Sequence, residues 1–161
     1  LTAAAERRLL AEYLATAARL RHSFTAICTR ATPLMPMTDD RIDTLDGDDD
    51  VTIVAFLKRY EQYEDCLHRI LKTISQIMEY GKVERLVAID IGRRAEKFGI
   101  VDEKPWGDAV RARNALAHQY PLRPDKRAEQ VNRAWQARDT LEMAWQGIVR
   151  FVAEESLIDE Q

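Results

Sequence analysis

Residues 51–78 read VTIVAFLKRYEQYEDCLHRILKTISQIM, and the spacing of their apolar side chains decides the fold class. Ile53, Val54, Leu57, Tyr60, Leu67, Ile70, Leu71, Ile74, Ile77 and Met78 return at steps of three and four. That is the period of an α-helix with one face turned to a core. Asp49 or Asp50 is the expected N-cap, because an aspartate accepts orphan N–H bonds and suits the positive end of the helix dipole. The helix is expected to end near Glu79 or Tyr80, with Gly81 closing it.

The pattern repeats on both sides. Toward the N-terminus, Leu10, Tyr13, Leu14, Ala17, Leu20, Phe24, Ile27 and Cys28 share one face of a helix expected over Thr2 to Thr29. Pro33 and Pro36 end it, since proline cannot donate to the helical ladder. Pro33 to Asp49 then reads as an acidic loop. Toward the C-terminus, a shorter helix is expected over Val83 to Phe98, closed by Gly99, with Leu86, Ile89, Arg93 and Lys97 making it less cleanly amphipathic. Pro105 is placed as the first residue of a fourth helix. That helix ends near Gln119, because Pro121 biases Tyr120 away from helical angles. The last helix is expected over Asp125 to Glu155, with Val131, Trp135, Leu141, Trp145, Ile148, Val149 and Val152 facing inward. Long helices with short connections imply antiparallel neighbours, so the expectation is an all-α, up-and-down bundle of four to five helices forming a single domain over 1–161.

Composition agrees with that expectation. Six Gly and five Pro in 161 residues are too few for an all-β fold, which needs many turns. No apolar run is long enough for a bilayer span or a signal-peptide core, so a cytoplasmic location is expected. The sequence opens on Leu1 rather than Met, and residues preceding it are expected. Cys28 and Cys66 both fall on apolar helix faces and read as buried free thiols.

The net charge of −3 gives no case for a globally basic surface, but the charge is unevenly distributed. Residues 39–50 carry seven aspartates against Arg41 alone. The run Asp46-Gly47-Asp48-Asp49-Asp50 lacks the alternating ligands and distal glutamate of a calcium loop and reads as a solvated cap. Residues 108–127 carry Arg111, Arg113, Arg123, Lys126 and Arg127 against Asp108 and Asp125. Any polyanion site is expected there, whereas Arg93, Arg94 and Lys97 read as a solvated helix face. Trp135 and Trp145, spaced within an apolar stripe, read as core anchors rather than base-stacking platforms. The sequence holds no Gly-rich phosphate loop, serine nucleophile elbow or zinc-ligand spacing.

On a helical wheel, Trp106, Ala109, Val110, Leu116 and Ala117 lie within about 60° of Arg113 and form the expected buried face. Arg111, Asn114 and His118 form a polar stripe beside it. Arg113 thus projects from the edge of an apolar face, where an unpaired charge is costly. A carboxylate, a phosphate or a partner across an interface is expected to meet it. Arg113 and His118 stand about 140° and about 7.5 Å apart along the helix, so one helix does not bring them together cleanly. Two copies facing across a twofold axis would. Spacing alone favours the plainer reading, a basic C-terminus that complements the helix dipole. His22 and His68 read as ordinary surface or boundary histidines.

The stretch Arg113-Asn114-Ala115-Leu116-Ala117-His118-Gln119-Tyr120 resembles the Arg-x4-His-x-Tyr motif of the HEPN superfamily, in the form seen in HepT-type toxins. Asn114 matches the polar residue that commonly follows the arginine. Pro105-Trp106-Gly107 resembles the family's approach to this helix. The sequence-level likeness covers about Gly99 to Tyr120, and the acidic stretch 33–49 departs from a minimal HepT. The resemblance implies a bundle that dimerises through the motif helices and acts as a metal-independent endoribonuclease, with no cofactor. His118 is then the general acid–base or phosphate-positioning group, since an imidazole titrates near neutrality. Arg113 binds the scissile phosphate, Arg111 adds to substrate binding, and Asn114 orients substrate or histidine. Tyr120 takes the position adenylated by a nucleotidyltransferase antitoxin, where added charge would repel RNA. Two other readings remain open. One is a catalytically silent HEPN module that binds a nucleotidyltransferase or other partner. The other is a structural bundle in which Arg113 pairs with a carboxylate and His118 caps the helix.

Overall fold

A computed structural model describes residues 2–79, 87–118 and 120–158. Among them are six α-helices: α1 (Ala3–Ala31), α2 (Asp39–Asp43), α3 (Gly47–Glu79), α4 (Ala88–Lys97), α5 (Glu103–His118) and α6 (Pro124–Glu154). No strand is present among these residues. No helix is long and apolar enough to cross a membrane.

The four longest helices alternate in direction. Phe24 of α1 packs on Phe56, Tyr60 and Tyr63, while the Cys66 thiol lies 3.6 Å from the Tyr13 carbonyl, so α1 and α3 run antiparallel. Arg21 holds Glu142 through both carboxylate oxygens and Arg7 reaches the Ser156 carbonyl, which sets α6 antiparallel to α1. Phe56 meets Trp135 between α3 and α6. α5 runs against both. α4 folds back on α5 as a short hairpin, tied by Arg93 to Glu103 at 3.2 Å and by the Glu103 N–H to Glu96 at 2.7 Å. One contiguous apolar cluster joins these elements, from Leu10 through Phe56, Leu67, Ile91 and Trp106 to Leu141 and Leu157.

Several boundaries differ from the sequence expectation. α1 runs two residues past Thr29, because Pro33 falls in a 3-10 turn (Thr32–Leu34) rather than in the helix. The acidic stretch is not a plain loop. It holds α2, capped by Thr38, and is fastened to α6 by two hydrogen bonds, in which the Met37 N–H donates to the Asn132 side-chain oxygen and the Asn132 amide donates to the Met37 carbonyl. Arg127 of α6 adds an ion pair to Asp43 at 2.7 Å. The N-cap of α3 is Asp46, whose carboxylate accepts the Asp49 N–H at 2.8 Å; Asp48, Asp49 and Asp50 then fill the first turn. The expected end at Tyr80 and closure by Gly81 lie outside the described residues, as do Leu86 and Gln119. α4 begins at Ala88 with Val87 as its N-cap, the expected start at Val83 lies outside the described residues, and Gly99 follows the helix at φ 72°, the left-handed angle that suits glycine. Pro105 is the third residue of α5, not the first, which is tolerated because first-turn N–H groups have no intrahelical acceptor. Val54 and Val149 are exposed, and Ala117 is exposed on the last turn of α5. Trp135 and Trp145 are only partly buried against the core.

Gly147 marks the tightest crossing. A Cβ built on it would stand 2.1 Å from the Ile100 carbonyl oxygen, so α6 passes directly over the turn joining α4 and α5. Arg150 reaches the Gly99 carbonyl from the next turn of α6.

Candidate functional site

The face of α3 that meets α5 carries Tyr60, Glu64 and His68 at successive turns. The Tyr60 hydroxyl donates to the Ala109 carbonyl at 2.8 Å. Glu64 accepts the Arg113 Nε–H at 2.7 Å. The His68 ring lies parallel to Trp106, with centroids 6.3 Å apart. Trp106 is 1 % exposed and also packs against Gly92 of α4, so it joins α5 to both α3 and α4. The anionic group that the apolar setting of Arg113 demanded is thus a carboxylate from within the chain.

The pair has an inside and an outside. The Glu64 side chain is 0 % exposed and that of Arg113 is 21 % exposed. Both terminal nitrogens of Arg113 lack a protein acceptor among the described residues, yet neither is sealed from solvent. Three buried polar atoms on this side of α3 have no partner among the described residues: Glu64 Oε1, His68 Nδ1 and Trp106 Nε1. Burial pushes the Glu64 carboxyl up from 4.5 to about 7, with the Arg113 charge acting against that rise. Burial, then the Arg113 charge, pulls His68 below its ordinary value near 6.5. Tyr60 and Tyr63 are both pushed up by burial, and the Cys28 and Cys66 thiols rise to about 11 for the same reason.

These shifts make stability depend on pH. The folded chain binds the Glu64 proton more tightly than the unfolded chain, so that contribution is complete below pH 4.5 and is lost as pH rises through 7. A rise from 4.5 to about 7 corresponds to about 3 kcal/mol. His68 works oppositely: its depressed value contributes stability above pH 6.5 that is lost on acidification. Glu64→Gln is therefore expected to raise Tm more at pH 8 than at pH 5. Thermal melts across that range test it, and equal shifts at the two ends would remove Glu64 as the source of the slope.

The other motif residues lie elsewhere on α5. Arg111, Asn114 and His118 are exposed, as the wheel placed them, and Tyr120 just beyond the helix is 82 % exposed. Arg111 pairs with Asp108. Asn114 and Arg111 line a groove of about 630 Å³ between α4 and α5, together with Ile89, Lys104 and Trp106. Arg113 turns inward to Glu64 while His118 is open to solvent at the helix end, so the structure gives the two different surroundings within one copy. Much of the basic stretch is matched locally, with Arg123 on Asp125, Lys126 on Glu129 and Arg127 on Asp43. Among the described residues no group of three or more His, Cys, Asp or Glu side chains is placed to hold a metal ion.

Sequence reasoning missed Glu64 and the participation of His68. The signal was present: Glu64 falls one turn after Tyr60 and one before Leu67 and His68, an acid in the middle of an apolar stripe. No protein-family model, curated protein or solved structure matches this chain.

Proposed function

We propose that the chain is a HEPN-like endoribonuclease of the HepT type, cutting RNA without a metal. The observation that carries the reading is Arg113 itself. Its guanidinium is held along one edge by a buried carboxylate, while its two terminal amino groups remain reachable at the surface. A planar fork of donors held in this way suits two oxygens of a phosphodiester. His118 stands exposed on the same helix for proton transfer at the ribose 2′-hydroxyl or the leaving oxygen, with Asn114 and Arg111 as substrate contacts. Two copies of α5 related by a twofold axis bring the arginine of one protomer toward the histidine of its partner. Exposed Tyr120 and Leu122 beyond α5, with Val87 and Ile89 at the start of α4, supply apolar surface for that contact. In this reading Tyr120 is the acceptor for adenylation by a nucleotidyltransferase antitoxin, and the added phosphate charge bars RNA from the cleft.

One observation favours a second reading. Arg113 pairs with a carboxylate inside the chain, so a structural role in a catalytically silent module accounts for it without a phosphate.

Purified protein with labelled single-stranded RNA and tRNA, in excess chelator, separates the two. Arg113→Ala and His118→Ala are each expected to slow cutting by about a hundredfold or more, in line with losing a transition-state contact or a general acid–base. His118 is exposed and its removal spares the fold. Arg113→Ala leaves Glu64 buried, but a carboxyl already raised to about 7 takes up a proton rather than remaining an uncompensated charge. Absence of cutting by the wild type, with Tyr120 confirmed unmodified by mass spectrometry, would leave the silent module as the function.

A further inference from the structure

We infer that Glu64 is a positioning residue for Arg113, gripping the guanidinium by its Nε edge so that the terminal amino groups face a phosphodiester outside. The inference rests on the ribonuclease reading and adds to it a residue that the Arg-x4-His-x-Tyr motif does not contain, 49 residues earlier in the chain.

The geometry separates the two ends of the arginine. Nε–H points inward to an oxygen of a fully enclosed carboxyl, and the terminal nitrogens have no protein acceptor among the described residues. The carboxyl is itself held in place. One turn before it, Tyr60 bonds the Ala109 carbonyl; one turn after it, His68 lies against Trp106. Both neighbours tie α3 to α5, so the spacing between Glu64 and the Arg113 backbone is fixed on either side. A free arginine carries about 2 kcal/mol of rotamer freedom. Fixing it before substrate arrives removes that cost from binding.

An acid at this position carries a cost of its own. Its ionised form is disfavoured in the fold, and one carboxyl oxygen lacks a partner among the described residues. An apolar side chain of similar size would avoid that cost but leave the Arg113 Nε–H unpaired at the edge of an apolar face. What an apolar side chain lacks is an acceptor for Nε–H.

The test compares Glu64→Met, which removes the acceptor, with Glu64→Gln, which keeps it and drops the charge opposing an incoming phosphate. Two readouts are taken: cleavage of RNA, and binding of a 2′-deoxy oligonucleotide that lacks the attacking hydroxyl. Glu64→Met is expected to weaken both by about tenfold or more and to lower Tm by leaving the Arg113 Nε–H unpaired, and Glu64→Gln to restore binding to the wild-type level or tighter. Adding Glu64→Met to Arg113→Ala is expected to cost nothing further, since the two act as one unit. Wild-type binding and cutting by Glu64→Met would overturn the positioning role and leave the ribonuclease reading standing. Arg113-dependent binding of the deoxy strand by a wild type that cuts no RNA would overturn the enzyme, while the Met and Gln comparison still decides the positioning role. Equal binding by wild type and Arg113→Ala, with no cutting, would overturn both.

Discussion

Gly147→Ala is expected to lower Tm by roughly 10 °C or more, although helix propensity alone predicts the opposite. Alanine inside a helix is favoured over glycine by about 1 kcal/mol. Against this gain, the new methyl group would lie 2.1 Å from the Ile100 carbonyl oxygen and 2.9 Å from its carbon. Both are backbone atoms in a short turn whose Gly99 is already committed to φ 72°, so no side chain can swing aside. Either α6 lifts from the α4–α5 turn or the turn deforms, at a cost of about 4 kcal/mol or more. In a chain of this size each kcal/mol moves Tm by about 2–4 °C. Gly47→Ala is the control, since nothing lies within 4 Å of its new Cβ, and it should leave Tm unchanged or slightly raised. A Gly147→Ala melt within 2 °C of wild type, by the same scale of about 2–4 °C per kcal/mol, would show that the crossing is looser than the structure has it.

Trp106→Ala is expected to cost about 3–5 kcal/mol, the range for deleting a large buried aromatic side chain. Trp106 is 1 % exposed and sits where three helices meet, with His68 of α3 on its face and Gly92 of α4 at its edge. Its removal leaves a void that backbone atoms cannot easily fill, and α4, the shortest element of the hairpin, loses its main anchor. Trp106→Phe should cost less than half as much. The ring and its stacking survive, and the indole N–H that disappears has no partner among the described residues. Denaturant titrations of both variants test the pair. Equal losses for Phe and Ala would mean that the indole nitrogen, rather than ring volume, holds the site together. Because the tryptophan stacks on His68, one turn from Glu64 on α3, Trp106→Ala is also expected to loosen the Glu64–Arg113 contact.

Periodicity made the helices legible and left their encounters unread. The stripe through Ile53, Leu67 and Ile74 located α3, and α1 and α6 were placed within two residues of their observed ends. Faces were less secure at the margins. Val54 and Val149 sit on apolar stripes where no neighbouring helix covers them, and Ala117 is open because the packing of α5 fades over its last turn. A wheel gives the direction of a side chain, whereas burial depends on how far the partner extends. The acidic stretch was misjudged because repulsion among its aspartates argues for a solvated loop. The grip of Asn132 on Met37 is a long-range contact that no local pattern reveals. The same limit applied at the site. The demand of Arg113 for an anion followed from its helix alone, but the identity of that anion depended on the register between α3 and α5. Glu64, an acid within an apolar stripe, went unread, and His68 passed as a commonplace histidine until its ring was set on Trp106.

The close passage of α6 over the α4–α5 turn also separates ancestry from chemistry. A relative that keeps this architecture must keep a hydrogen where Gly147 has one, whether or not it keeps Arg113 and His118. Exposed side chains on α5 can change without disturbing the packing, but a backbone crossing cannot accept a methyl group. Gly99 and Gly147 together therefore form a signature of descent that lies outside Arg113 and His118, by which related chains could be traced whatever becomes of those two side chains.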